Sequence, residues 1–460
     1  MSEYSRFLNE SKIKAGDETH RLKILKAITT YETTVDAMKT HQFKNWMEAR
    51  EIASQVKLAV IEKLPFLLEE FESKISARGA KVLWARDKKE AQDHFLEIAT
   101  RHGAKKIVKS KSMTTEEIDF NEFCESKGLT VLESDLGELI VQLAGEKPYH
   151  IVTPAMHKSR AEIGKLFAEK LNVPLSEDAR ELTMIAREHL RNAYITSDIG
   201  VTGANFIIAK EGAVALTENE GNIRLTMACP PVHVVFVGIE KVVPGLADLS
   251  LFWPLLATSG TGQQITGYNS IIRGPRQEGE TDGPDNLYVI LLDNGRSDLY
   301  NRENYQKILK CIRCGACLNA CPVYRTIGGH TYHTTYQGPI GSVLTPQLKE
   351  PATWSHLAAA SSLCASCSAV CPVDIDIHHL LLENRWEANQ HGYSGKMWDL
   401  GLNLWARIMS KRSRLNRYSR IGRRLYPLFL PLLPKSIRKR VPDLPGETFN
   451  SLWKKYEQSK

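Results

Sequence analysis

The chain has 460 residues, of which 42% are hydrophobic and 25% are charged, values that are ordinary for a soluble globular protein of two or three domains. Spread over this length, its net charge of +7 is too small to argue for a nucleic-acid partner. The N-terminal residues contain no apolar run, and no stretch reaches the ~20 apolar residues that a membrane-spanning helix needs. We therefore expect a cytoplasmic protein.

The apolar pattern divides the first 300 residues into two regions. Apolar side chains recur at three and four positions in residues 1–75, which predicts an N-terminal helical segment. Short apolar runs then alternate with helical stretches over 76–300, which predicts an α/β domain with a largely parallel sheet. The predicted strands are Lys81–Ala85, Lys106–Val108, His150–Val152, Phe206–Ala209, Val214–Leu216, Val232–Val237 and Leu287–Leu292. Helices are predicted between them at Glu90–His102 and Ala161–Leu171.

Seven of the nine cysteines fall in two short runs. Clustered cysteines in a cytosolic chain indicate a metal site rather than a disulfide framework. The first run has the spacing C-x2-C-x2-C-x3-C-P, the bacterial pattern for a [4Fe–4S] cluster, and consists of Cys311, Cys314, Cys317, Cys321 and Pro322. The second run is Cys364, Cys367, Cys371 and Pro372, and it aligns with the first if Ser361 takes the place of Cys311.

Ligands can be assigned because the fourth cysteine of each run in a two-cluster ferredoxin binds the cluster of the other run. Cluster 1 is then a [4Fe–4S] cluster held by Cys311, Cys314, Cys317 and Cys371. Cluster 2 is left with three cysteines, Cys321, Cys364 and Cys367. It is either a [3Fe–4S] cluster or a [4Fe–4S] cluster whose fourth ligand is Ser361, water or a group from a partner.

Zinc fits this spacing poorly, since zinc sites take four ligands per ion from separate pairs. The remaining two cysteines, Cys124 and Cys229, are expected to be buried structural thiols. The long segment between Cys321 and Cys364 predicts an α-helical, ferredoxin-like two-cluster domain over 301–392. Residues 393–460 are predicted to form a basic, helical C-terminal region.

Longer stretches resemble a known family. Residues Cys311–Tyr324, Tyr336–Leu344 and Leu363–Ile377 are similar to the bacterial lactate utilization protein B family. Upstream, Thr196–Phe206 and Lys210–Asn222 resemble the lactate-utilization domain of that family. The resemblance covers nearly the whole chain. It implies an α/β domain similar to the sugar-phosphate isomerase and coenzyme A transferase fold, and a second motif with three cysteines.

The resemblance also implies the iron–sulfur subunit of a three-component system that oxidises L-lactate to pyruvate. The partners would be the other lactate-utilization subunits and an electron acceptor, either a quinone or a redox protein, and no catalytic residue is assigned. The alternative is a self-contained oxidoreductase with a substrate or coenzyme site in the α/β domain. Hydroxy-acid oxidation usually needs a flavin, and the absence of a flavin fingerprint favours the first hypothesis.

Several weaker signals have two interpretations each. The segment Glu218–Gly221 resembles the nucleophile segment of coenzyme A transferases, but a polar turn is favoured. The loop Gly260–Gly267 is interpreted as lying near a small-molecule cleft.

Four lysines could bind an anion, although a solvated face is favoured; they are Lys105, Lys106, Lys109 and Lys111. Four histidines flank the cysteine runs, and a surface role is favoured over ligation; they are His330, His333, His378 and His379.

The basic segment Lys411–Pro427 has three interpretations. It could dock on the anionic inner face of the membrane, bind an acidic partner subunit, or form a helix packed on the cluster domain.

Overall fold

The computed structural model describes residues 2–393, 396–432, 438, 447 and 449–460. The chain divides into two compact units, Met1–Ala388 and Asn389–Lys460. Within the described residues, no helix is both long and apolar enough to cross a membrane.

Four helices form the N-terminal segment, as the spacing of apolar residues predicts: α1 (Glu3–Gly16), α2 (Glu18–Gln42), α3 (Trp46–Glu62) and α4 (Leu64–Ser76). Asn45 caps the start of α3, and its side chain accepts hydrogen bonds from the backbone N–H groups of Met47 and Glu48. Helix α2 buries Ile24 and Ile28 in a core shared with the cysteine region, whereas α4 buries Phe71 against the strands. That this segment is a separate domain stays a prediction.

A six-stranded parallel sheet forms the centre of the next region and confirms the predicted largely parallel α/β arrangement. Its strands are β1 (Lys81–Ala85), β2 (Lys106–Lys109), β3 (Thr130–Glu133), β4 (Ile199–Thr202), β7 (Val232–Gly238) and β10 (Asn286–Leu292), in the order β1-β10-β7-β4-β2-β3. Strands β7 and β10 are buried along nearly their whole length, which explains their continuous apolar runs.

A smaller sheet of four strands completes the β-structure: β5 (Phe206–Ile208), β6 (Ala213–Glu218), β8 (Val242–Val243) and β9 (Tyr268–Ile272), in the order β8-β5-β6-β9. The turn from β5 to β6 needs a glycine, because Gly212 has φ +58° and a Cβ there would lie 2.4 Å from the Cβ of Lys74.

One predicted strand, His150–Val152, is wrong. This segment is a bend, and the Nδ1 atom of His150 accepts the backbone N–H groups of Val152 (3.0 Å) and Thr153 (3.2 Å). The side chain therefore takes the donors that a neighbouring strand would use. The other six predicted strands are strands, while β3, β4, β8 and β9 were not predicted.

Nine helices surround the sheets: α5 (Lys88–Arg101), α6 (Met113–Glu117), α7 (Phe120–Ser126), α8 (Leu136–Ala144), α9 (Arg160–Leu171), α10 (Ala179–Thr196), α11 (Asn222–Ala228), α12 (Leu249–Thr261) and α13 (Arg296–Tyr300). The two predicted helices correspond to α5 and α9, with small shifts at their ends. Helix α9 begins with a reciprocal pair of hydrogen bonds between Ser159 and Glu162.

The cysteine region is built from short helices: α14 (Ala316–Asn319), α15 (Pro322–Ile327), α16 (Gly338–Leu348), α17 (Pro351–Trp354), α18 (Ser366–Ala369) and α19 (Ile377–Gln390). The C-terminal unit contains α20 (Lys396–Met409), α21 (Arg412–Phe429) and α22 (Phe449–Gln458). The basic segment lies on α21, as predicted, and the rest of 393–460 falls partly outside the described residues.

Candidate iron–sulfur centre and adjoining cavity

The two cysteine loops have the same backbone conformation. In the first, φ is positive on both sides of Cys314, at Arg313 (62°) and Gly315 (80°). In the second, φ is positive on both sides of Cys364, at Leu363 (54°) and Ala365 (64°), and a one-turn helix follows in each loop. Ser361 therefore occupies the position that corresponds to Cys311.

Each run ends in a cysteine that accepts a backbone hydrogen bond. The N–H of Tyr324 lies 3.5 Å from Cys321 Sγ, and the N–H of Ile375 lies 3.4 Å from Cys371 Sγ. Pro322 opens α15 directly after Cys321, where a proline costs no helical hydrogen bond. Backbone donors of this kind stabilise a thiolate and tune the potential of a bound cluster.

Four thiols form the first group. Burial raises the pKa of Cys317 well above its usual value, and the neighbouring thiols of Cys314, Cys311 and Cys371 raise it further. Burial also raises the pKa of Cys314, with Cys371 as the next contributor. Bound metal ions would stabilise these thiolates, because their positive charge offsets the repulsion between the sulfurs and deprotonates the thiols.

Three thiols form the second group. Burial raises the pKa of Cys367 to about 11, with a further increase from the thiol of Cys321. Burial raises the pKa of Cys321 too, and the thiol that contributes there is that of Cys364. This grouping is the one that an exchange of fourth cysteines between the runs requires. The donor set fits two clusters, although the individual ligand assignments stay a prediction.

The groups differ in exposure. Cys314 and Cys317 are buried, whereas Cys364 is exposed. Hydrogen bonding from Ser366, whose hydroxyl lies 3.3 Å from the sulfur, lowers the pKa of Cys364 to about 7. The second group thus has one exposed thiol, whereas the first has three buried thiols and one half-buried thiol, that of Cys311.

The two outlying cysteines behave differently from each other. Cys124 is buried in the core of the α/β region, as predicted, and burial raises its pKa to about 12. The prediction of burial is wrong for Cys229, which is exposed directly after the short helix α11.

Two buried cations, Arg50 and Lys310, hold the second loop. Arg50 of α3 donates from Nε to the carbonyl of Cys371 (2.7 Å), and from Nη2 to the carbonyl of Ser368 (3.0 Å) and to Asp374 Oδ1 (2.8 Å). Lys310 donates to the carbonyl of Asp374 (2.7 Å). Arg50 was not predicted, because it lies far from the cysteines along the chain and belongs to no motif.

The flanking histidines have partners other than thiols. His378 Nδ1 lies 2.9 Å from Ser368 Oγ, and His379 pairs with Asp376. His330 Nε2 lies 2.7 Å from the carbonyl of Lys147, and His333 Nε2 lies 2.9 Å from Glu10 Oε2. These contacts fit the favoured interpretation that the histidines flank the clusters without binding them.

A cavity of about 420 Å³ lies at the carboxyl ends of the parallel strands. It is lined by residues that directly follow β2 (Lys111, Ser112), β4 (Gly203–Asn205) and β7 (Glu240, Lys241). In the sheet, β2 and β4 are neighbours. The strand that follows β2 in this sheet, β3, lies on one side of this pair, and the strand that follows β4 there, β7, lies on the other side. The cavity therefore lies at a topological switch point, where open α/β sheets bind ligands. Ile312, Arg313 and Cys314 also line it, which places the cavity beside the first cysteine loop.

A buried ionic network borders this cavity. Burial raises the pKa of Glu240, but the guanidinium groups of Arg296 and Arg313 outweigh that effect and lower it to about 2. Arg296 Nε lies 2.5 Å from Glu240 Oε2, and its Nη2 lies 2.8 Å from Glu117 Oε2. Tyr336 donates its hydroxyl to Glu117. The network connects the ends of two strands to the cysteine region.

The segment after β6 also reaches the cavity. Both carboxylate oxygens of Glu218 accept backbone N–H groups at the start of α11, from Ile223 (2.7 Å) and Arg224 (2.9 Å). These bonds form a polar turn after β6, and that Glu218 is not a nucleophile stays a prediction. Burial and the neighbouring Asp135 raise the pKa of Glu220 to about 7. Part of the loop Gly260–Gly267 lines the cavity, in agreement with its predicted place near a cleft.

The predicted solvated face of lysines is wrong for Lys109. Its side chain is fully buried and its Nζ lies 2.7 Å from Glu133 Oε1 and 3.2 Å from Glu116 Oε1. Lys111 donates to the carbonyl of Val152 and lines the cavity. Lys241, another cavity lysine, was missed, because a single lysine after a buried strand carries no motif.

Two family models match the chain. A LUD domain matches residues 68–292, and a 4Fe-4S dicluster domain matches residues 307–375. The solved structure of a duf162 family protein from Deinococcus radiodurans covers 50% of this chain and 98% of its own, with 14% sequence identity and a TM-score of 0.27.

Curated relatives match over most of their length. Lactate utilization protein B of Bacillus cytotoxicus is 41% identical over 81% of this chain and 79% of the relative. The proteins of the same name from a Geobacillus strain and from Bacillus velezensis are 43% and 44% identical, each over 74% of this chain and 72% of the relative. With a LUD domain of mostly parallel α/β structure followed by a 4Fe-4S dicluster domain, the chain belongs to the lactate utilization protein B family.

Proposed function

We propose that this chain relays electrons during the oxidation of L-lactate to pyruvate, as one subunit of a multi-component system. The observation that carries the proposal is the pair of thiol groups, four thiols in one and three in the other, contributed by two runs far apart in sequence. The names of the curated relatives supply the link to lactate. Its partners are the other lactate-utilization subunits and an electron acceptor, either a quinone or a redox protein.

The proposed ligands follow the two groups. Cys311, Cys314, Cys317 and Cys371 hold cluster 1, a [4Fe–4S] cluster. Cys321, Cys364 and Cys367 hold cluster 2, which is either a [3Fe–4S] cluster or a [4Fe–4S] cluster with a non-cysteine fourth ligand. Such clusters supply one-electron transfer when bound. Ser361 is the residue of this chain that stands at the fourth corner, since its backbone position corresponds to that of Cys311.

The protein would exclude water from one end of the relay and admit a partner at the other. Burial of Cys314 and Cys317 shields cluster 1, and the exposed Cys364 brings cluster 2 within reach of a docked redox partner. Arg50 and Lys310 would fix the second loop, because each bonds to its backbone carbonyls from a buried position.

We also propose the finer fold descriptions. The cluster domain is ferredoxin-like and α-helical, a proposal supported by its six short helices. The α/β domain is proposed to share the fold of sugar-phosphate isomerases and coenzyme A transferases, with its site at the carboxyl ends of the strands.

The C-terminal unit is proposed to make peripheral contact with the inner face of the membrane. Helices α20 and α21 combine arginines such as Arg414 and Arg420 with exposed apolar side chains such as Trp405 and Ile421. Amphipathic basic helices bind anionic lipid surfaces. Co-sedimentation with vesicles of anionic lipid, and none with vesicles of neutral lipid, is the expected result. Equal recovery with both vesicle types would contradict the contact.

The relay is tested by mixing the anaerobically purified chain with its partner subunits and L-lactate, and following the loss of visible cluster absorbance. We expect lactate-dependent reduction of the clusters in the complete mixture. The Cys314→Ser variant should show none, because cluster 1 loses a ligand. Reduction that is equally fast in this variant, or that needs no partner subunit, would contradict the proposed relay.

A further inference from the structure

The cavity beside the first cysteine loop contains a buried lysine without a partner. Lys241 is 7% exposed, and within the described residues its Nζ has no hydrogen bond and no ion pair. Burial, with a contribution from the nearby Arg313 guanidinium, lowers the pKa of Lys241 to about 8. Buried charges are normally paired, so an unpaired lysine that lines a cavity indicates a missing anion.

Arg313 supplies a second, independent sign of a missing anion. Its side chain is 9% exposed, and its Nη1 is buried without a hydrogen-bond partner. Nη2 is 3.3 Å from Glu240 Oε1, and the guanidinium lies over the ring of Tyr336, 4.4 Å from its centre.

The acidic side chains of the cavity are engaged elsewhere. Glu240 is paired with Arg296, and Glu218 accepts two backbone N–H groups of α11. Glu220 accepts the backbone N–H of Leu136 at 3.2 Å. Asp135, the fourth acidic residue of the lining, accepts the backbone N–H of Glu138. None of the four carboxylates forms an ion pair with Lys241 Nζ among the described residues, so the lining offers this ammonium group no direct counter-ion.

The shape of the cavity fits a small organic acid. Besides Lys241, Arg313 and Lys111, the cavity is lined by apolar side chains, among them Ile151, Leu256 and Ile312. A volume of about 420 Å³ exceeds what a single inorganic ion needs and falls in the range of small-molecule sites. The planar fork of an arginine matches a carboxylate with two parallel hydrogen bonds.

We propose that Lys241 and Arg313 bind the carboxylate of a small organic acid in this cavity, directly beside the loop that carries Cys314. The relay by itself requires no ligand in the α/β domain, so this site goes beyond it. The apolar lining would hold the hydrocarbon part of the acid.

Anaerobic calorimetric titration of the full-length chain with its clusters tests the site, with L-lactate, pyruvate and inorganic phosphate as probes. We expect the two carboxylates to bind and phosphate to bind at least tenfold more weakly. Lys241→Met should weaken carboxylate binding about tenfold or more and raise the thermal midpoint, since the variant removes an unpaired buried charge. Lys210→Met, which removes an exposed lysine outside the cavity, should change neither quantity.

Arg313→Lys keeps the charge but loses the fork, and we expect a smaller loss of affinity than in Lys241→Met. The inference is overturned if Lys241→Met binds carboxylates as tightly as the unaltered chain, if phosphate binds most tightly, or if no probe binds. Iron content and the EPR signal after reduction, measured on the same samples, separate the two proposals. Intact clusters without carboxylate binding would overturn the site alone, and carboxylate binding without clusters would overturn the relay alone.

Discussion

The two cysteine loops share a backbone and differ in nearly everything attached to it. In both, the residues before and after one cysteine, Cys314 or Cys364, have left-handed backbone conformations, and a one-turn helix follows. The first loop is buried and lines a cavity through Arg313 and Cys314. The second exposes Cys364 and has Ser361 where the first has Cys311.

The difference teaches that one backbone shape can place its thiols in two different surroundings. The left-handed positions set the turn around the thiols, and the side chains at those positions set the surroundings. Arg313 adds a buried charge beside the cavity, whereas Leu363 at the equivalent position adds none. The environment of each cluster therefore follows from substitutions within a repeated loop.

The largest effect is expected from replacing the cysteine between the two left-handed residues of either loop. Cys314→Ser should eliminate cluster 1 and Cys364→Ser cluster 2, because each variant removes one of the proposed cysteine ligands. Each variant should lose about half of the iron per chain and one of the two EPR signals. The same signal missing in both variants, or full iron content in either, would show that the loops do not hold separate clusters.

Arg50→Met should have the next largest effect. It leaves two carbonyls of the second loop and the carboxylate of Asp374 without their buried donor. We expect a loss of about 3 kcal/mol in the free energy of unfolding, measured with denaturant under anaerobic conditions. Arg21→Met, at an exposed position on α2, is the matched control and should change stability little. Equal stability of the two variants would mean that Arg50 does not support the loop.

An exchange of the equivalent residues Gly315 and Ala365 tests the left-handed position. A Cβ at Gly315 would lie 2.8 Å from Ile151 Cγ2 and 3.0 Å from Val152 Cγ2, at φ +80°. Gly315→Ala should therefore destabilise the protein by about 1–3 kcal/mol. Ala365→Gly should stabilise it by less than about 1 kcal/mol, because glycine adopts φ +64° without strain. Unfolding curves with effects of the same sign would contradict this account.

Ser361→Cys makes the second loop a closer copy of the first and should have the smallest effect on stability. A fourth thiolate would reach cluster 2, so we expect its EPR signal and reduction potential to change while those of cluster 1 stay constant. A gain of one iron would identify a three-iron cluster, and a shifted potential at constant iron would identify a non-cysteine ligand. No change in either property would mean that Ser361 does not stand at the fourth corner.

Local patterns predicted much of this fold. The seven clustered cysteines, the apolar runs of β7 and β10, and the helical spacing in α3 are signals carried by neighbouring residues. Strand β8 was missed because two residues give too little pattern, and β4 because its sequence, Ile-Gly-Val-Thr, contains no apolar run. The segment His150–Val152 was wrongly predicted to be a strand, because the His150 side chain accepts a backbone N–H group that a neighbouring strand would otherwise bind.

Of the candidate site, the sequence identified the cysteines as candidate ligands and the loop Gly260–Gly267 as lying near a cleft. The other parts depend on contacts between distant segments, such as that of Arg50 with Cys371, which no local motif encodes. The same holds for Lys241 and Arg313, which line one cavity from different regions of the chain. Local sequence motifs identify the residues that can bind metal, whereas the fold is needed to show which charged side chains lack a partner.

The most direct test of the central claim is EPR spectroscopy on the anaerobically purified chain, as isolated and after dithionite, with iron counted on the same sample. Two clusters held by the two thiol groups predict about seven to eight iron atoms per chain and signals from two distinct centres. A signal in the oxidised state would assign three irons to cluster 2, and signals only after reduction would assign four. Silence in both states, with zinc bound in place of iron, would contradict the electron-transfer account.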